Sequence, residues 1–170
     1  VSSLHLTFAG LDALQRGFAQ APEVTRRELL ATAKASTLHL EGQVKDRIPA
    51  ASGKTRESVH SDAFSTPVGV IGTVGSSMAT ATFLELGRKP GSGVSREGQE
   101  ALGQWAKEKL GVSEKEVRNV VFLISRKIKK KGLEAKRPFE LTFVANEGQV
   151  LRAFEDAAGR VAAQLDGGVA

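Results

Sequence analysis

Hydrophobic and polar positions alternate first over Leu4, Leu6 and Phe8, against Ser3, His5 and Thr7. That period of two predicts a half-buried strand. Gly10 ends it, and LDALQRGF then sets Leu11, Leu14 and Phe18 on one face of a short helix, punctuated by Pro22. From about Glu23 to Ile48 the period changes. Leu29, Ala33, Leu40, Val44 and Ile48 recur near every 3.6 residues, flanked by Leu30 and Thr37, so a long amphipathic helix is expected. Glu23 and Glu28 near its start, and Lys45 and Arg47 near its end, suit the helix dipole, and Pro49 stops it.

ASGKTR reads as a loop. ESVHSDAF and VGVIGTVG are short β-branched runs joined by STPVG, the pattern of a hairpin. Gly69, Gly72 and Gly75 either weaken the second strand or let another backbone come close. SSMATATFLELG predicts a helix capped by Ser76 or Ser77 and ended by Gly87. RKPGSGVS follows as a flexible linker. Beyond it, EGQEALGQWAKEKLG is helical, with Leu102, Trp105, Ala106 and Leu110 on one face. Ser113 and Glu116 form a capping box for a further helix, whose stripe is Val117, Val120, Val121, Ile124 and Ile128 and whose stop is Gly132. The tail is largely helical, with a break expected near Asn146-Glu147-Gly148. Phe139 and Phe143 precede that break, and Val150, Phe154 and Val161 follow it.

The expected class is therefore α+β: a small antiparallel sheet of the N-terminal strand and the central hairpin, packed by a long N-terminal and a C-terminal helix. Residues 1–93 and 133–170 form one domain on this reading, and 94–132 is an inserted helical hairpin. At 170 residues with 41% hydrophobic content the chain has material for a core. No Cys is present, which excludes disulfides and thiolate metal sites. No apolar run approaches the ~20 residues of a membrane span, so no membrane association is expected. VSSLHLTF has neither the basic nor the long apolar region of a signal peptide, and none is expected there.

Candidate chemistry is sparse. His5, His39 and His60 have no second ligand at metal spacing, so no metal or other cofactor is expected. His60-Ser61-Asp62 has triad residue types, but neighbouring strand residues point to opposite faces. GVIGTVG lacks the Lys-Ser/Thr of a phosphate loop. Charge changes the picture more. The net charge is +5, and residues 126–137 hold seven bases against one acid. Lys129, Lys130 and Lys131, with Arg88 and Lys89 in the linker, are the candidates for binding a partner. A run of this kind is a nucleic-acid or acidic-partner patch, or else a solvated helix end. Glu85, set among Phe83, Leu84 and Leu86, is either a catalytic acid or a structural charge. No second catalytic group accompanies it, so a non-enzymatic role is expected.

Several motifs then stand in a distinctive order. Phe8-Ala9-Gly10-Leu11 precedes the long helix ending at Ile48-Pro49. Ser52-Gly53-Lys54-Thr55, Gly72-Thr73-Val74-Gly75, Phe83-Leu84-Glu85-Leu86-Gly87 and Lys136-Arg137-Pro138-Phe139 follow. Over nearly its whole length the chain resembles the head–tail joining and tail-completion family of long-tailed bacteriophages, which is similar to the Z-type minor tail proteins. Arg88 stands where that family's motif has Thr. Trp105, Lys109, Lys127 and Ile128 lie in helices that resemble an insertion some members carry. The resemblance implies a structural virion protein in a homo-oligomeric ring, a hexamer, between the capsid portal and the tail tube. Its partners would be other neck and tail proteins, with non-specific contact to DNA in the lumen. A tail-terminator ring protein and a basic DNA-binding accessory protein are the alternatives. At a helix C-terminus Glu85 needs a cationic partner, and Arg137, in the motif that shares the resemblance, is the candidate for a structural brace.

Overall fold

A computed structural model describes residues 11–49, 53–91 and 93–166, and among these the side chains from Ala21 onward. Among the described residues the fold is α+β, with six helices and a two-stranded antiparallel sheet. In chain order these are α1 (Leu11–Arg47), α2 (Gly53–Glu57), β1 (Val59–Thr66), β2 (Gly69–Ser76), α3 (Ala79–Leu86), α4 (Arg96–Leu110), α5 (Glu114–Lys131) and α6 (Pro138–Asp166). The strand expected over Leu4–Phe8 lies outside the described residues.

The chain divides into two units: Val1–Glu41 with Ser61–Val74 and Ala145–Ala170, and Gly42–His60 with Gly75–Val144. The expected insertion, α4 and α5, belongs to the second unit.

In the first unit α1 and α6 run antiparallel. Glu28 of α1 meets Arg160 and Gln164 of α6, whereas His39, eleven residues later, meets Asn146. Thr32, Ala33, Thr37 and Leu40 are the buried face of α1, and Asn146 and Ala157 that of α6. The hairpin lays Ala63 on the same core. Gly72 of β2 sits directly over α1: a Cβ built there would stand 2.5 Å from Thr37 Cγ2. Of the hairpin's Gly69, Gly72 and Gly75, only Gly72 has this close approach; nothing lies within 4 Å of the other two.

In the second unit Val44, Ile48, Val59, Ala81, Ala106, Val121 and Pro138 are buried. Polar pairs fix the connection around α2. Arg56 donates to the Ile48 carbonyl (2.8 Å), Thr55 pairs with Thr80 (2.6 Å), and Ser58 pairs with Ser76 (2.6 Å). On α4, Gly103 lets α5 approach, with a built Cβ 3.2 Å from Val117 Cγ1. At the start of α5 the Glu116 carboxylate accepts from the Ser113 N–H (3.1 Å) and hydroxyl (2.6 Å), the arm of the box that the spacing predicts.

Four local expectations need correction. Helix α1 runs through Pro22 without stopping. A proline deletes one intrahelical N–H and strains one turn, a cost of ~3 kcal/mol that packing of the rest of the helix can outweigh. Within ASGKTR, residues from Gly53 onward form α2 rather than loop, because Thr55 is buried and its hydroxyl has a partner in Thr80. Helix α3 starts after Met78, and Ser76 serves instead as acceptor for the Met78 N–H (3.1 Å). Helix α6 is continuous through Asn146–Gly148. Asn146 is buried there and accepts from His39 Nε2 (3.2 Å), so a residue that ordinarily breaks helices is satisfied inside one. Its buried row is Pro138, Thr142, Asn146 and Ala157, while Phe143 is exposed.

Candidate functional site

Helix α3 ends at Leu86, and Gly87 turns the chain with φ +70°. From the last turn of α3, Glu85 reaches the first turn of α6. Its Oε2 accepts the Phe139 N–H and its Oε1 the Glu140 N–H, both at 2.9 Å. The first N–H groups of a helix lack intrahelical acceptors and carry its positive dipole end, so a carboxylate held there satisfies two of them. The expected brace to Arg137 is therefore corrected. Among the described residues no ion pair joins Glu85 to Arg137. Arg137 immediately precedes α6, in a left-handed conformation (φ 48°), and its guanidinium turns instead to Glu140 at 3.3 Å. Its backbone is what α3 holds: the N–H groups of Lys136 (2.7 Å) and Arg137 (3.2 Å) donate to the Leu84 carbonyl. The cation that Glu85 needs is a helix N-terminus, not a side chain.

One residue further on, the α4–α5 hairpin is tied at its base. Arg88 and Leu133 form an antiparallel bridge with reciprocal N–H···O bonds of 2.9 and 2.8 Å. Both flanking glycines are required. Gly87 has Leu133 O and Ala135 N within 3 Å of a built Cβ, and at Gly132 (φ +75°) a built Cβ would collide with the Arg88 carbonyl. The Gly91 N–H adds a bond to the Lys129 carbonyl (2.8 Å). RKPGSGVS, read from its composition as a flexible linker, is thus fixed over Arg88–Gly91 by backbone hydrogen bonds that composition does not encode.

These bonds sort the basic candidates. Arg88 is used within the fold: its guanidinium lies 5.3 Å from the Phe83 ring centroid and donates to the Gly93 carbonyl (2.9 Å). Lys89, Lys129, Lys130 and Lys131 are exposed, and among the described residues none of them has an ion-pair partner.

Between α4 and α5 runs a groove of about 730 Å³. Val94, Val117, Val121 and Phe122 give it apolar walls; Arg96, Arg118, Arg126 and Lys129 are its cations and Glu100 its acid. Arg96 and Glu100 pair with each other at 3.5 Å. Periodicity found the helices but not this groove, because α5 presents two adjoining faces. Val121 and Ile124 follow the apolar stripe, while Arg118, Phe122 and Arg126, spaced by four, lie on the row beside it.

Elsewhere, apolar side chains stand in solvent. The two-residue turn Pro67–Val68 places Phe64 opposite Ile71, each 46% exposed, on the hairpin face turned away from α1, and Val68 at the tip is 98% exposed. Helix α6 shows Leu141, Val144 (69%) and Leu151 (60%) at spacings of three and seven along one side.

His60, Ser61 and Asp62 have separate partners. His60 Nδ1 donates to the Ser58 carbonyl, Ser61 Oγ to Glu41 Oε2, and Asp62 Oδ1 accepts from the Ala63 N–H. His5 lies outside the described residues. Among the described residues no group of three or more His, Cys, Asp or Glu is placed to hold a metal ion, and no helix is long and apolar enough to cross a membrane.

Comparison with known protein families, with curated sequences and with solved structures finds no match.

Proposed function

We propose that this chain is a structural part of the virion of a long-tailed bacteriophage, one subunit of a ring in the neck that completes the tail and joins it to the capsid. The observation that carries the reading is the pair of unlike exposed apolar surfaces: Phe64, Val68 and Ile71 on the hairpin, and Leu141, Val144 and Leu151 on α6. Large apolar patches left in water mark interaction sites. Two different patches on one subunit are what a head-to-tail contact needs, and a head-to-tail contact whose rotation closes gives a ring. The ordered motifs from Phe8 to Phe139 supply the direction of the proposal. The α4–α5 hairpin, held at its base by Arg88 and Leu133, favours the neck protein over a tail terminator built mainly on a hairpin sheet.

The test is native mass measurement with negative-stain imaging of the purified chain at rising concentration. Closed rings of one copy number, six in the proposed arrangement, are the expected result. Phe64→Ser and Val144→Ser should each abolish them while leaving an intact 18.0 kDa monomer. A wild-type chain that stays monomeric throughout, or that forms only two-fold dimers, overturns the ring. The DNA-binding alternative has its own signature, duplex affinity that falls steeply with added salt.

A further inference from the structure

We infer that the α4–α5 groove is a docking site for an acidic, apolar-faced helical segment of a partner protein. Charge complementarity selects the occupant. Of the charged lining residues, Arg96 and Glu100 neutralise each other at 3.5 Å. Arg118, Arg126 and Lys129 remain, with no carboxylate paired to them among the described residues. Each would accept a carboxylate without losing an existing bond.

The apolar part fixes the pattern. Phe122 is 62% exposed and lies one turn from Arg118 on one side and one turn from Arg126 on the other. Beneath it Val121 is buried, and Gly103 closes α4 onto Val117. A segment that fits sets an apolar side chain on Phe122 and carboxylates about one turn to either side. The lining of α5 runs from Val117 to Lys129, ~18 Å of helix, which matches about three turns of a bound helix. Nucleic acid fits less well. Its backbone would meet the cations, but its bases would find one aromatic ring and a row of valines rather than a series of stacking platforms.

The site does not depend on the neck-ring reading, since a chain that forms no ring would present the same groove. The probe is a fluorescein-labelled, helix-forming peptide of about 14 residues with Leu along one face and Glu beside it, titrated by anisotropy at about 0.15 M salt. Saturable binding is expected. It should weaken about tenfold or more in Arg118→Glu/Arg126→Glu and in Phe122→Ser, with circular dichroism showing an unchanged helix content. Lys130→Glu/Lys131→Glu makes the same charge change outside the lining and should alter affinity less than about twofold. A neutral peptide with Gln for Glu should bind at least about tenfold more weakly. Absence of saturable binding overturns the proposal, and so does equal loss in the Lys130/Lys131 control. A duplex DNA probe that binds more tightly than the peptide, and loses that affinity in Arg118→Glu/Arg126→Glu, replaces the peptide with a nucleic acid.

Discussion

Glu85 Oε2 accepts the backbone N–H of Phe139 at 2.9 Å, across 54 residues of sequence, while its Oε1 takes the next N–H of the same helix. A carboxylate near the C-terminus of α3 sits at the negative end of that helix's dipole, which is unfavourable. The N-terminus of α6 supplies about half a positive charge and two free donors against it. One side chain thereby joins the end of one helix to the start of another.

The energetic consequence differs from that of an ion pair. Glu85→Ala strips two charge-assisted bonds from a helix start and should cost ~1–3 kcal/mol in urea unfolding. Glu85→Gln keeps one oxygen acceptor and should cost less. Arg137→Gln removes only an exposed contact to Glu140 and should stay within about 0.5 kcal/mol. Arg137→Gly relieves a left-handed side-chain residue and should be neutral or stabilising, because glycine adopts a positive φ freely. A coupling energy above ~1 kcal/mol between Glu85→Gln and Arg137→Gln would restore the side-chain pair.

Gly72 gives a second prediction with an internal rescue. Its missing Cβ leaves room for Thr37 Cγ2, so Gly72→Ala should destabilise the fold by ~1–3 kcal/mol. Thr37→Ser removes the methyl that collides, and the double variant should recover most of that loss. Gly75→Ala, with nothing within 4 Å, is the control and should change stability little or raise it. Equal losses at Gly72 and Gly75 in thermal melts would place the cost in backbone freedom instead of packing.

Periodicity made the long helices and the hairpin legible, since a stripe such as Ala33, Leu40, Val44 and Ile48 shows in one strand of text what faces the core. Strong local signals also worked at Ser113 and Glu116, where both partners lie within one turn. What stayed hidden depends on residues far apart in sequence. Pairing of Arg88 with Leu133, capping of α6 by Glu85, and satisfaction of Asn146 by His39 all need the fold before they exist. Asn146 and Gly148 read as a break for that reason. The basic run was visible, but only the packing of α4 on α5 sets Arg118, Phe122 and Arg126 beside a groove.

Acid should loosen the first unit through Glu28. Hydrogen bonds from Arg160 and Gln164 hold its carboxyl below the usual 4.5. A carboxylate with a lowered value in the folded state adds stability that is complete above the unfolded value and is lost as pH falls through the folded one. Thermal midpoints measured from pH 6 down to 3 should therefore fall in the lower half of that range. Arg160→Gln should flatten the fall, since it removes the leading cause of the shift. Glu114 and Glu116, lowered by Lys107 and Ser113, add to the same trend at the base of α5. An acid limb unchanged by Arg160→Gln would assign it to those two instead.

The tie at the base of the α4–α5 hairpin can be tested by comparing two glycines with the same sign of φ. Gly132 and Gly111 each end a helix at positive φ. Gly111 (φ +63°, ψ 22°) is in the left-handed helical region, where alanine costs ~1 kcal/mol. Gly132 (φ +75°, ψ −162°) instead holds a backbone conformation almost confined to glycine. Only at Gly132 does the new Cβ also collide with the Arg88 carbonyl, which belongs to the bridge with Leu133; nothing lies within 4 Å of a Cβ at Gly111. Gly132→Ala should cost ~1 kcal/mol or more beyond Gly111→Ala, the scale of one backbone bond lost together with steric strain. The loss should also be local. Amide exchange at Arg88, Gly91 and Leu133, whose N–H groups are bonded in the tie, should accelerate in Gly132→Ala and remain slow in Gly111→Ala. Limited proteolysis should follow, with cleavage near Lys89 appearing in the first variant and not in the second. Matching exchange rates in the two variants would mean that the tie does not hold the hairpin, and that its base is secured by α4–α5 packing alone.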